Sequence, residues 1–227
     1  MDIGLEPSFD TVSMSDARPS FPALQAARLY GILDLGYVLP AEVESMTESL
    51  CLGGVDLLQL RAKKQTLQEI EKLARLMLPI TRAHGVPFII NDHLAIAAEI
   101  GSEGVHVGQD DDAVAKARAV VGPEVFVGKS THSLAQAAAA QDEAADYIGF
   151  GPLYATGTKP DYVPVGIHDI RQVHQQVKLP IFCIGGVNLP RLPEIVQAGA
   201  RRVVVVSALL QAASISQYVQ EVKALLP

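Results

Sequence analysis

The chain has 227 residues and a net charge of −7, with 25 Asp and Glu against 18 Lys and Arg. A surface that is negative on average opposes a phosphate backbone, so nucleic-acid binding is not expected, and any bound phosphate must be held locally. No apolar run reaches the ~18 residues needed to span a bilayer, and Cys51 and Cys183 sit in apolar surroundings as small core residues; together these predict a cytoplasmic protein without a membrane partner.

Residues 1–20 lack periodicity and are expected to form a flexible N-terminal extension ahead of one catalytic domain at 21–227. From there, short apolar runs at 28–33, 56–61, 88–90, 105–107, 125–127, 147–150, 181–184 and 202–206 read as strands. Stretches of helical period lie between and after them, at 41–52, 67–84, 94–100, 112–121, 134–144, 168–177, 189–198 and 214–226. Eight repeats of strand then helix predict an α/β fold, a single (β/α)8 TIM barrel, with the strand C-terminal ends converging on one working rim. An open doubly wound sheet is the alternative, but Leu33-Asp34-Leu35-Gly36 offers no Gly-x-Gly-x-x-Gly turn after the first strand.

The candidate chemistry follows the strand ends in order. Arg61, Lys63 and Lys64 after the second strand form a cationic cluster able to neutralise a diphosphate, with Gln59 inside the strand. Asn91-Asp92 and Asp110-Asp111-Asp112 end the neighbouring third and fourth strands. One carboxylate from each could share a divalent ion, and Mg²⁺ suits so small a protein donor set; equally, Asp111 or Asp112 could cap the next helix.

Ser130-Thr131-His132-Ser133 follows the fifth strand: Ser130 could donate to a ligand, Ser133 could cap the helix, and His132 could be an acid, a base or a structural hydrogen-bonder. Thr156-Gly157-Thr158-Lys159 lies in the long irregular stretch 151–166 and can wrap an anion, with Lys159 placed to follow leaving-group charge. Gly185-Gly186 and Val206-Ser207 end the last two strands, where barrels hold phosphate on backbone N–H groups, so a bulky residue at Gly186 is expected to crowd a phosphate out. There is no Gly-x-Ser-x-Gly elbow and no Cys/His zinc spacing.

With these residues in view, the chain from about Leu29 onward resembles the thiamine phosphate synthase family. The resemblance is carried by Gln59-Leu60-Arg61-Ala62-Lys63, Asn91-Asp92, Gly104 through Asp111, Gly151 through Lys159 and Ile184-Gly185-Gly186. It implies a transferase joining a hydroxymethylpyrimidine diphosphate to a thiazole phosphate by a dissociative, Mg²⁺-assisted substitution. It further implies Asp92 and Asp111 as metal ligands and Arg61, Lys63, Asn91 and Lys159 around the diphosphate, with Lys159, Arg61 and Ser130 in the catalytic role. Gln59 and Ser130 would lie near the pyrimidine, and Thr156, Thr158, Gly186, Val206 and Ser207 near the thiazole phosphate. Ala62 stands where the family often has Glu, so no role passes to that position.

A thiazole tautomerase of the related barrel family would use His132 and need neither metal nor diphosphate site. A non-catalytic phosphate-ligand protein is a further alternative. An aldolase would want a Schiff-base lysine inside the barrel, for which Lys129 is the strand-end candidate, without an obvious acidic partner. The sequence leaves a homo-oligomer possible.

Overall fold

The structure is a computed structural model and describes residues 21–109, 111–157 and 163–227. The expected extension at 1–20 lies outside them. Eight parallel strands close into a barrel: β1 (Leu29–Asp34), β2 (Leu57–Arg61), β3 (Phe88–Asn91), β4 (Gly104–Val107), β5 (Phe126–Thr131), β6 (Tyr147–Phe150), β7 (Ile181–Cys183) and β8 (Val203–Val205). Closure runs from Leu29↔Val203 to Gly31↔Val205. The fold is the (β/α)8 TIM barrel that the alternation predicts.

In chain order the helices are α1 (Pro22–Ala26), α2 (Val43–Gly53), α3 (Leu67–Ala83), α4 (Leu94–Ile100), α5 (Val114–Val121), α6 (Leu134–Asp142), α7 (Ile170–Gln176), α8 (Leu192–Gln197), α9 (Ser207–Leu210) and α10 (Ile215–Leu225). Local chemistry sets their ends. Thr66 and Glu69 cap α3 reciprocally, Thr66 N donating to Glu69 Oε2 at 2.9 Å and Glu69 N to Thr66 Oγ1 at 3.3 Å. Gly54, at φ 92°, supplies the left-handed turn that stops α2. Two helices have no counterpart in the sequence reading, α1 and α9, because five and four residues are too few to show a period.

Strand side chains alternate between two cores. Outward residues such as Leu58, Leu60, Val105 and Val127 pack against the helices. Inward residues Tyr30, Leu57, Ile89, Phe126, Tyr147, Phe182 and Val204 fill the barrel, and Leu24 and Ala27 from α1 join them. The aromatic rings meet edge to face, with Tyr30 and Tyr147 centroids 5.9 Å apart and Tyr30 and Phe182 5.5 Å apart. Glycine makes the room. A Cβ on Gly128 would stand 2.0 Å from Tyr147 Cζ, and one on Gly104 would stand 2.2 Å from Phe126 Cε2.

At the opposite rim, the residue just before β2, β4 and β6 is a carboxylate that accepts a backbone N–H from the start of the preceding strand. Asp56 Oδ2 accepts from Leu29 at 2.8 Å, Glu103 Oε2 from Phe88 at 3.0 Å and Asp146 Oδ2 from Val127 at 2.7 Å. Each is also ion-paired, to Lys223, Arg82 and Arg118 respectively. The strand starts are thereby satisfied and the far ends are left to the site.

Candidate active site

Because Gln59 and Arg61 are two apart on β2, both face inward, as do Asn91 on β3, His106 on β4 and Ser130 on β5. With Thr156, Gly186, Val206 and Ser207 they line one cavity of about 740 Å³, a volume that includes its open mouth. Its other wall is apolar, built from Ile32, Ile184 and Val204. Thr158 and Lys159 lie outside the described residues.

Arg61 is held by Asp34, its register partner on β1, through an Nη1 to Oδ2 bond of 2.6 Å. Asp34 is buried, and its other oxygen accepts from Gly36 N at 2.9 Å, so the carboxylate that aims the guanidinium is itself fixed. Lys63 reaches over to form an ion pair with Asp92. Lys64 is exposed and makes no ion pair among the described residues, so only part of the cationic cluster meets the site.

The two strand-end carboxylates come together. Asp92 accepts from Asn91 Nδ2 at 2.6 Å and is hydrogen-bonded to Asp111, whose Oδ2 accepts from Gly108 N at 2.9 Å. Burial raises the Asp92 carboxyl above the ordinary carboxylate range, with Lys63 opposing the rise and Asp111 adding to it. Its backbone stands at φ 64°, unusual for a residue with a side chain, while Asp92 N is tied to His106 O at 2.9 Å. Two adjacent hard oxygen donors with excess negative charge fit a Mg²⁺ ion that completes its shell with water and phosphate. Among the described residues no group of three or more His, Cys, Asp or Glu could hold a metal, so a metal here would rest on this pair.

Several single residues have clear partners. Neither Asp111 nor Asp112 caps α5, whose N-cap is Ala113; Asp112 pairs with Lys116 at 2.6 Å. Ser133 does cap α6, accepting from Gln136 N at 3.2 Å. His132 lines the cavity, bonds through Nδ1 to Gly151 O and donates its backbone N–H to Gln136 Oε1 at 2.7 Å. Lys129 is corrected: it is buried on the outer face of β5 and has an acidic partner, Glu143, at 3.5 Å, so it is not a lysine of the barrel interior. Alternation decides this, since Gly128 and Ser130 on either side face inward.

At Gly186, which lines the cavity, protein packing also calls for glycine. Its φ is 67°, and a Cβ would stand 2.8 Å from both Tyr154 Cβ and Arg191 Nη1, so a larger residue would first displace protein atoms. Arg191 clamps this turn, donating to Gly186 O at 2.8 Å while its guanidinium lies 4.3 Å from the Tyr154 ring centre.

Asp34, His106 and the tyrosines Tyr30 and Tyr147 were not singled out from sequence. His106 lies 2.9 Å from both Tyr147 OH and Ser130 Oγ. A polar residue between two apolar ones on a strand, as in Val105-His106-Val107, is the pattern that could have marked it. Asp34 is marked by nothing until β1 and β2 are in register.

Fold and rim together define a (β/α)8-barrel enzyme with paired carboxylates and cations at the C-terminal mouth. The thiamine monophosphate synthase family profile matches residues 29–209. A thiamine-phosphate synthase from Halalkalibacterium halodurans is 36% identical over 186 residues, 82% of this chain and 88% of the relative. One from Chloroflexus aurantiacus is 37% identical over 199 residues, 87% of this chain and 92% of the relative. The solved thiamine phosphate pyrophosphorylase from Pyrococcus furiosus superposes with a TM-score of 0.81 at 27% identity, covering 90% of this chain and 97% of that one. This chain belongs to the thiamine monophosphate synthase family.

Proposed function

We propose that the chain is a thiamine-phosphate synthase that condenses 4-amino-2-methyl-5-hydroxymethylpyrimidine diphosphate with 4-methyl-5-(2-phosphoethyl)thiazole, or its carboxylated precursor, releasing diphosphate. The observation that carries this reading is the contact of Asp92 with Asp111 beside Lys63 and Asn91, at the mouth of a cavity whose far wall is apolar. Mg²⁺ held by Asp92 and Asp111 would neutralise the diphosphate and the charge growing on the departing oxygen. Arg61, aimed by Asp34, offers a planar fork to the same diphosphate, and Lys63 and Asn91 add donors. By family resemblance Lys159 joins them.

Once the C–O bond to diphosphate breaks, the pyrimidine methylene cation must meet the thiazole nitrogen before water does. Ile32, Ile184 and Val204 supply a dry wall for that encounter, while Gln59 and Ser130 hold the pyrimidine. Thr156, Thr158, Gly186, Val206 and Ser207 would seat the thiazole phosphate. No strong base is needed, because the nucleophile is a neutral ring nitrogen; placing both partners in one cavity supplies much of the rate advantage.

The test is diphosphate release from mixtures of the two phosphorylated substrates. Release should require both substrates and a divalent cation. Isomerisation of a thiazole phosphate alone, without metal, would overturn the proposal in favour of a tautomerase. Binding of both ligands without release would make the chain a non-catalytic binder.

A further inference from the structure

A hydrogen-bonded chain crosses the barrel interior between two residues of the cavity wall. Gln59 Nε2 donates to Tyr30 OH at 2.5 Å, and the Tyr30 and Tyr147 hydroxyls are 3.1 Å apart. Tyr147 OH lies 2.9 Å from His106 Nδ1, and His106 Nε2 lies 2.9 Å from Ser130 Oγ. Gln59 and Ser130 line the cavity, whereas Tyr30 and Tyr147 are fully enclosed in the barrel core.

With the Gln59 amide nitrogen turned inward, counting protons gives the chain a direction. An amide nitrogen only donates, so Tyr30 accepts from Gln59 and keeps one proton to place. Among the described residues the acceptor in reach is Tyr147 OH, which therefore passes its own proton towards His106 Nδ1. A neutral imidazole accepting at Nδ1 carries its hydrogen on Nε2 and donates it to Ser130 Oγ. The Ser130 hydroxyl hydrogen is then left for the cavity, and Gln59, its nitrogen turned inward, keeps Oε1 as an acceptor. Turning the Gln59 amide over would reverse every bond of the chain, with Tyr30 donating to Gln59 Oε1 and Ser130 to His106 Nε2, so the amide orientation in the structure sets the direction. Burial lifts both phenols far above their ordinary range, so both stay protonated donors at working pH.

We infer that Tyr30, Tyr147 and His106 form a positioning relay that fixes Gln59 as acceptor and Ser130 as donor, and so selects an aminopyrimidine over its oxo counterpart. The identity of the ring rests on the synthase reading; the direction of the relay does not. An exocyclic amino group beside a ring nitrogen offers one donor and one acceptor, the complement of the two relay ends. The oxo form offers a carbonyl acceptor and a ring N–H donor, the reverse pattern. Sites that hydrogen-bond a substrate group in this way discriminate against analogues lacking it by about 10⁴-fold or more, because buried polar groups are left unpaired.

The first measurement needs no substrate. NMR of the intact nitrogen-labelled chain should find His106 neutral, with hydrogen on Nε2 and none on Nδ1; hydrogen on Nδ1 overturns the relay. The second compares kcat/KM for diphosphate release from the 4-amino and 4-oxo pyrimidine diphosphates. Tyr147→Phe keeps the ring and its packing but cuts the relay at its middle, so the amino-to-oxo preference should fall at least about tenfold. An unchanged preference in the folded variant overturns the inference. A wild-type chain that releases diphosphate from neither ring would fail the synthase reading instead, and the His106 tautomer would still decide the relay.

Discussion

At Asp92 one carboxyl is partly enclosed, hydrogen-bonded to a second carboxyl and paired with Lys63. Such a cluster holds together because a cation, proton or metal, relieves the repulsion. Asp111→Asn keeps the shape but removes one anionic ligand, so the Mg²⁺ concentration for half-maximal diphosphate release should rise at least about tenfold. A metal titration reads this, and an unchanged midpoint would take Asp111 out of the metal site. Asp92 and Asp111 were legible as a pair because both end neighbouring strands. Asp34 was not, since its role exists only through its 2.6 Å bond to Arg61.

Among the elements, α7 and β5 each carry a consequence. His174 on α7 has an Nε2 without a hydrogen-bond partner among the described residues. Burial lowers its pKa from 6.5 to about 4, and the nearby charges of Arg201 and Arg202 add to the fall. Between those values the unfolded chain binds the proton and the native chain does not, so stability rises with pH across that window. Acidification from pH 6.5 to about 4 should therefore remove roughly 1–2 kcal/mol, discounted for solvent contact, and His174→Gln should flatten this part of the profile in urea titrations. On β5, Gly128→Ala would drive a methyl into the Tyr147 ring, where the gap is 2.0 Å. A loss of about 1–3 kcal/mol is expected, read as a lower denaturation midpoint. Helix and strand periods made these elements readable in the sequence; the fit of a glycine to a ring on the next strand was not, because it depends on register.

For the whole molecule, closure is the distinguishing requirement, and Asp56 gathers three parts of it. It accepts from Arg28 N at 2.9 Å and Leu29 N at 2.8 Å at the start of β1, and from Lys223 Nζ of α10 at 2.7 Å. Burial alone would raise this carboxyl, but the bonds from Lys223, Leu29 and Arg28 outweigh it and hold it below the ordinary range. Its contribution is thus present above the unfolded carboxylate pKa of about 3.9 and lost as pH falls below that value. Asp56→Ala should cost about 2 kcal/mol at neutral pH and reduce acid sensitivity, measured by paired denaturation curves at neutral and acid pH.

The order of the eight strands and of every helix but α1 and α9, the barrel, and most of the rim were determined by the sequence alone. The alternation of apolar runs with helical periods, and polar residues at strand ends, are local patterns that burial imposes on a parallel sheet. What only the tertiary structure decided were pairings between distant positions: Arg61 with Asp34, Lys129 outward to Glu143, and the line from Gln59 through Tyr30, Tyr147 and His106 to Ser130. Those depend on which side chains a closed, staggered barrel turns towards its axis and at what height, a property of the registers of eight strands taken together rather than of any one segment.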